Sequence, residues 1–127
     1  MMIRAISALA AGLTLTVAGV TSASAHASLQ KCSIKNGEVF HVGHTPRQVT
    51  AFFTEDLDPK QSWVKVFEGI ADHGLVEKES FVVNYKNPKE IILNLPPLGK
   101  EPYYLIWYTH SADDGHFASG IVYFQVR

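Results

Sequence analysis

After residue 26, the apolar residues of this chain recur at every second position, and no segment sustains a 3.6-residue period. A period of two is that of a strand, whose successive side chains point to opposite faces. In "QVTAFFTE", Val49, Ala51 and Phe53 share a face, and in "SWVKVFEG", Val64 and Val66 do. "PYYLIWYTH" sets Tyr103, Leu105 and Trp107 against Tyr104, Ile106 and Tyr108. "GIVYFQVR" sets Val122, Phe124 and Val126 against Ile121, Tyr123 and Gln125. "EIILNLP" is short, rich in β-formers and ended by Pro96-Pro97, while "EVFHV" and "SFVVNY" are weaker candidates. Breakers separate these runs: Asn36-Gly37, Gly43 to Pro46, Asp58-Pro59, Gly69, Asn87-Pro88, Pro96 to Gly99 and Asp114-Gly115. About seven short antiparallel strands at this spacing predict an all-β domain, a single β-sandwich or partly closed barrel. The stretch "GIADHGLVEKE", 69 to 79, reads as a loop or a weak strand pair. Trp107 and Tyr103 read as core, because a small sandwich needs large apolar area at its centre.

The first 25 residues follow a different rule. "MMIRAISALAAGLTLTVAGVTSASA" runs from one cation, Arg4, through an apolar stretch to Ala23-Ser24-Ala25. That is the order of a secretory signal peptide, with cleavage expected between Ala25 and His26. The apolar run is short and rich in Ala, Gly and Thr, unlike a spanning helix of about 20 strongly apolar residues. The expected organisation is therefore a signal peptide over 1–25 and one β-domain over 26–127, soluble outside the cytoplasm. Loss of Arg4 takes the formal charge from -1 to -2, since the leader carries no carboxylate. Such a balance excludes a basic nucleic-acid footprint and gives no pull toward anionic lipid. A single cysteine, Cys32, can form no internal disulfide, so the core alone must hold the fold. Cys32 reads as a small buried residue near the first strand.

Motifs for hydrolysis, nucleotide binding and zinc are missing: the chain has no G-x-S-x-G, glycine-rich phosphate loop, H-E-x-x-H or C-x-x-C. His110, Ser111 and Asp113 are neighbours in sequence, but adjacency is not triad geometry. "SADDGH" is more informative. Asp114 and His116 lie two apart around Gly115, so extended backbone or a glycine turn can hold an oxygen and a nitrogen donor on one side. The plain alternative is an Asp-Gly turn with a solvated histidine. Cleavage after Ala25 would expose on His26 a free α-amine beside ring Nδ1, a pair that closes a chelate ring on one ion. With His116 and Asp114 the set is three nitrogens and one oxygen, which favours Cu(II), then Ni(II), over tetrahedral zinc. Methionine donors for Cu(I) are missing, because Met1 and Met2 both lie in the leader, and of soft donors only Cys32 remains.

These residues resemble the CopC family of periplasmic copper-resistance proteins over essentially all of 26–127. The markers are the start "HASLQK", "FTEDLDP" at 53 to 59, Tyr103-x-Leu105-x-Trp107, "SADDGH", and the ending Gly120-x-Val122-x-Phe124-x-Val126. The resemblance implies a Greek-key barrel or sandwich in which His26, Asp114 and His116 bind Cu(II). It also implies copper tolerance or supply beside a CopD-type inner-membrane copper transporter. Some members carry a second, methionine-rich Cu(I) site; this chain lacks those methionines and resembles a Cu(II)-only member. "SADDGH" has one Asp more than the usual S-A-D-G-H, so Asp113 competes with Asp114 as the oxygen donor. Ile34 stands where a proline is common, which implies a looser first turn. His110 stands in place of a non-ligand strand residue, expected to pack or to be exposed, with an extra imidazole at the site as the alternative. His41 and His44 of "HVGH" read as solvated, with a weak second metal site as the alternative, and His73 has no partner in sequence. The expected activity is binding and transfer of copper, not catalysis. Two rivals stand beside it: a copper-dependent oxidative enzyme with an N-terminal histidine brace, as in lytic polysaccharide monooxygenases, and a metal-free immunoglobulin-like interaction module.

Overall fold

A computed structural model describes residues 26–69 and 74–127 of the 127-residue chain. The expected signal peptide and His73 lie outside the described residues. Eight strands follow one another: β1 Leu29–Cys32, β2 Glu38–Phe40, β3 Gln48–Phe53, β4 Trp63–Glu68, β5 Ser80–Val83, β6 Glu90–Asn94, β7 Pro102–His110 and β8 Phe117–Val126. They form two four-stranded sheets, ordered β1-β3-β6-β5 and β2-β8-β7-β4. Their inward faces close on each other as the all-β sandwich that the alternation predicts.

The alternation decides the packing residue by residue. Val49, Ala51 and Phe53 of β3 are buried, as are Val64 and Val66 of β4 and Ile91 and Leu93 of β6. From the second sheet, Tyr103, Leu105 and Trp107 of β7 meet Val122, Phe124 and Val126 of β8 in the same core. Phe53 stands edge-on to Trp107 with ring centroids 5.5 Å apart, tying the two sheets together at the centre. Near the opposite end, Tyr103 stacks on Phe124 at 5.2 Å and donates its hydroxyl to the Gly99 carbonyl at 2.9 Å. Burial satisfies the apolar ring and the hydrogen bond satisfies the phenol, so the residue sits inside at little cost.

Three features depart from the expectations. The first is β1, an additional strand. Its four residues "LQKC" show no in-out alternation, and its pairing to β3 shifts register between Leu29 and Lys31. A bulged, half-buried edge carries no period-two signal. The second is that β2 runs parallel to β8, with Glu38 opposite Phe124 and Phe40 opposite Val126. The third is that β8 starts at Phe117, three residues before the apolar alternation begins, so that it pairs with β7 along its whole length. The first turn is not loosened at Ile34. That side chain is buried, the Ser33 amide donates to Thr50 O at 3.0 Å, and the Glu38 carboxylate accepts from the Lys35 amide at 2.8 Å.

Residues 74–79 form one bridge, Phe67 to Leu75, in place of a strand pair. They still cover the free edge of β4, an edge that would otherwise offer unpaired backbone groups. Val76 N donates to Val66 O at 3.0 Å and Glu68 N donates to Gly74 O at 2.8 Å. A second donor of this edge, Val66 N, meets the Glu79 carboxylate at 2.8 Å. The other carboxylate oxygen of Glu79 is buried without a partner. Burial pushes this carboxyl up to about 7, against the opposing pull of the Val66 amide and Lys65. A folded-state value above the unfolded one favours the folded protein below the unfolded value, and that advantage is lost as pH rises through about 7. Glu79→Gln is expected to flatten the dependence of unfolding stability on pH between roughly 4.5 and 7. Urea titrations across that range check it; an unchanged slope would place the origin of the pH dependence elsewhere.

Candidate metal site

The candidate residues lie at the end of the sandwich where β7 turns into β8. The connecting loop, 111 to 116, is closed at its base by Ser111 N donating to His116 O at 2.8 Å, and within it Gly115 N donates to Ser111 O at 3.1 Å. Gly115 takes φ +73°, a left-handed conformation that suits glycine because it has no Cβ. Asp114 accepts the His116 amide on one carboxylate oxygen at 3.0 Å, while the other oxygen lies 3.5 Å from His116 Nδ1. That amide first, with Ser111 and the imidazole behind it, holds the exposed Asp114 carboxyl below the usual carboxylate range. The loop thus orients the His116 ring with its own aspartate, as an Asx turn does. Asp113 is exposed, and its side chain makes no hydrogen bond or ion pair among the described residues.

The loop is anchored from below by the segment that follows β3. Ser111, buried, donates its hydroxyl to the Glu55 carboxylate at 2.8 Å, and Ala112 N donates to Asp56 O at 2.9 Å. Asp58 N donates to His110 O at 2.8 Å, and Leu57 forms a bridge with Ser111. The same segment holds the start of the β-domain. Thr54 donates its hydroxyl to His26 O at 3.0 Å and accepts from Ser28 N at 3.1 Å. Thr54 N in turn donates to Ser28 O at 2.9 Å. Ala27 is fully buried, and its carbonyl accepts from the Thr109 hydroxyl at 2.6 Å.

With both arm and loop held this way, the imidazoles of His26 and His116 face each other, ring centroids 5.4 Å apart and planes inclined at 50°. Both rings are exposed. A metal–imidazole bond of about 2 Å puts two rings on one ion with centroids within roughly 6 Å, so this spacing can accept a shared cation with little movement. Among the described residues, no group of three or more His, Cys, Asp or Glu side chains is already gathered around one point. The contacts are pairwise: the two rings face each other, and the Asp114 carboxylate lies against His116. The chemistry of these groups fits a borderline divalent ion with N and O preference.

The other histidines stand apart. His110 ends β7 and stacks on Phe117 at 5.5 Å and 25°, extending a row of rings through Tyr108 to Trp63. His41 and His44 are exposed in a turn closed by His44 N to His41 O at 2.9 Å. That turn follows Phe40, which pairs with Val126 at the far end of β8 from His116. Ten strand residues, about 30 Å, separate the two ends. Cys32 is half-buried at the end of β1, where burial raises its thiol above the ordinary value.

Thr54, Glu55 and Thr109 are the residues that reading the sequence missed. Thr109 had a legible signal. The inward row of β7 runs Tyr103, Leu105, Trp107, Thr109, and a hydroxyl in a row of core positions needs a partner.

Comparison with known proteins agrees with this architecture. No curated protein matches the chain at a significant level. Among solved structures, CopC from Methylosinus trichosporium OB3b superposes with a TM-score of 0.68 at 24% identity, covering 80% of this chain and 93% of that one. PcoC, a methionine-rich copper resistance protein from Escherichia coli, gives 0.66 at 23% identity, covering 81% and 100%. These likenesses establish the fold. The CopC domain matches residues 29–127, from β1 through the last strand. The eight-stranded sandwich and a domain match that takes in both β3 and the Asp-Gly-His loop lead to one conclusion: the chain belongs to the CopC family.

Proposed function

We propose that the chain is exported, cleaved ahead of His26, and binds Cu(II) at the end of the sandwich as a periplasmic copper-resistance protein. The ligands are the α-amine and ring of His26, the ring of His116 and the carboxylate of Asp114. The observation that carries the reading is the 5.4 Å approach of the His26 and His116 rings, two residues that are 90 positions apart in sequence. Family membership supports copper as the ion, as does the description of PcoC as a copper resistance protein. Asp114 is favoured over Asp113 because it already contacts His116 through both carboxylate oxygens. Cu(II) is favoured over Cu(I) because neither methionine of the chain lies beyond residue 2.

The role is carriage, not turnover. The rings are exposed at the rim of a rigid scaffold, so the ion sits where an acceptor can reach it. A CopD-type inner-membrane copper transporter is the proposed acceptor. An amine and imidazoles must shed protons to ligate, so affinity falls as pH drops.

Mass spectrometry of the exported protein together with electron paramagnetic resonance of its copper-loaded form tests the reading. The expected result is a chain beginning at His26 and a tetragonal Cu(II) signal with three nitrogen donors, weakening on acidification. A different N-terminus, or a signal without nitrogen coupling, would overturn it.

A further inference from the structure

We infer that Thr109 and Thr54 are positioning residues that hold the His26–Ala27 arm in its metal-receiving place before any ion arrives; the inference rests on the copper reading above. The contacts are unequal in kind but converge on one dipeptide. The Thr109 hydroxyl donates to Ala27 O at 2.6 Å, and the Thr54 hydroxyl donates to His26 O at 3.0 Å. Two successive carbonyls of the arm are therefore pinned, one from each sheet. Thr109 ends the inward row of β7, while Thr54 directly follows β3.

Thr109 is fully buried, at the same level as Leu105 in the same inward row. Valine has nearly the same shape and would fill the position without a polar atom. A buried hydroxyl is costly unless it is bonded. Its short bond is to the arm, and its other approach, to Ala118 O, is at 3.5 Å. The hydroxyl thus serves the arm and not the sheet. Ala27, fully buried, seals the same point from the other side, since a small side chain lets the arm lie down against the core.

The consequence lies one residue upstream. With the carbonyls of residues 26 and 27 fixed, little besides the His26 side-chain torsions and its own nitrogen remains free to turn. The rings of His26 and His116 lie 5.4 Å apart on this pinned arm. A chelating end on an untethered arm would have to be ordered at the moment of binding, and that entropy would be subtracted from affinity. A pinned arm has paid it during folding.

Thr109→Val in the exported protein that begins at His26 tests this, with Thr54→Val as a second variant at an exposed site and Thr109→Ser as the rescue. Each is compared with wild type and with His116→Ala by Cu(II) titration, electron paramagnetic resonance, thermal unfolding and apo-state NMR of residue 26. Expected are a loss of about ten-fold or more in Cu(II) affinity in either valine variant, a spectrum split between coordination modes, and fast motion at residue 26. The folded core should persist, and Thr109→Ser should restore the single spectrum. If wild type binds Cu(II) and His116→Ala abolishes it, but both valine variants keep wild-type affinity, spectrum and order at residue 26, the positioning role is wrong and the copper reading stands. If wild type itself gives no nitrogen-coupled Cu(II), the copper reading fails first. Should Thr109→Val not fold, Thr54→Val alone decides.

Discussion

One extra residue ahead of His26 is expected to lower Cu(II) affinity on the order of 10³-fold, about 4 kcal/mol. In the proposed site the α-amine and the ring of His26 belong to one residue, so the second donor binds at high effective concentration once the first has bound. A preceding residue turns the amine into an amide, a poor ligand that must be deprotonated to bind. It also moves the free amine to a residue whose position neither Thr54 nor Thr109 controls. His116, Asp114 and the fold are untouched, so thermal unfolding of the metal-free protein should not change. A competition titration against a calibrated chelator, with wild type and the extended chain side by side, measures the difference. Equal affinities would remove the amine from the ligand set and leave His26 as an ordinary exposed imidazole.

The second large effect concerns the core. Gly120→Ala is expected to cost about 2–3 kcal/mol of stability and to lower Tm by roughly 10 °C or more. Gly120 of β8 pairs with Trp107 of β7, and the indole lies over the glycine. A Cβ at residue 120 would meet three indole atoms at 2.5, 2.6 and 2.7 Å. The ring cannot simply lift away, because Trp107 is buried and stands edge-on to Phe53 from the other sheet. Either the sheets separate slightly or the indole leaves its rotamer, and both are costly in a packed interior. The same glycine lies four residues from His116, so the strain should also reach the candidate site. Differential scanning calorimetry of the metal-free variant gives the stability term, and an unchanged Tm would mean that the core accommodates the methyl group freely.

The glycine also illustrates what alternation conveys and what it leaves out. Gly120-x-Val122-x-Phe124-x-Val126 is readable as an inward row, and it is one. That its first member must be glycine because an indole occupies the space is a fact about Trp107, thirteen positions upstream. The β7 row is similar. Tyr103, Leu105 and Trp107 were legible as core, whereas Thr109 continues the row with a polar atom whose partner, Ala27, is 82 residues away. β1 was not legible because its residues are half-buried on both sides of a bulge, where no hydrophobic period develops. The parallel pairing of β2 with β8 was not legible either. Strand direction depends on how the chain crosses between sheets, and three residues carry no record of it.

At the candidate site the division is sharper. "SADDGH" alone implies a glycine-mediated turn with an aspartate and a histidine on one side, and the loop has that form, because the bonds that make it lie within six residues. Which aspartate contacts the imidazole depends on backbone torsions at Gly115, and there the fold selects Asp114.

What the amino-acid order determined by itself is therefore everything governed by short range: the strand period, the punctuation between strands, the apolar faces, the Asp-Gly-His turn, and the impossibility of an internal disulfide with one cysteine. Tertiary structure alone decided which distant residues meet. His26 and His116 become neighbours because Thr54 and Thr109 draw the arm onto the end of the sandwich where the 111 to 116 loop emerges. No local pattern encodes that meeting. Proximity between distant residues follows from sheet pairing and core closure, which act on the whole chain at once.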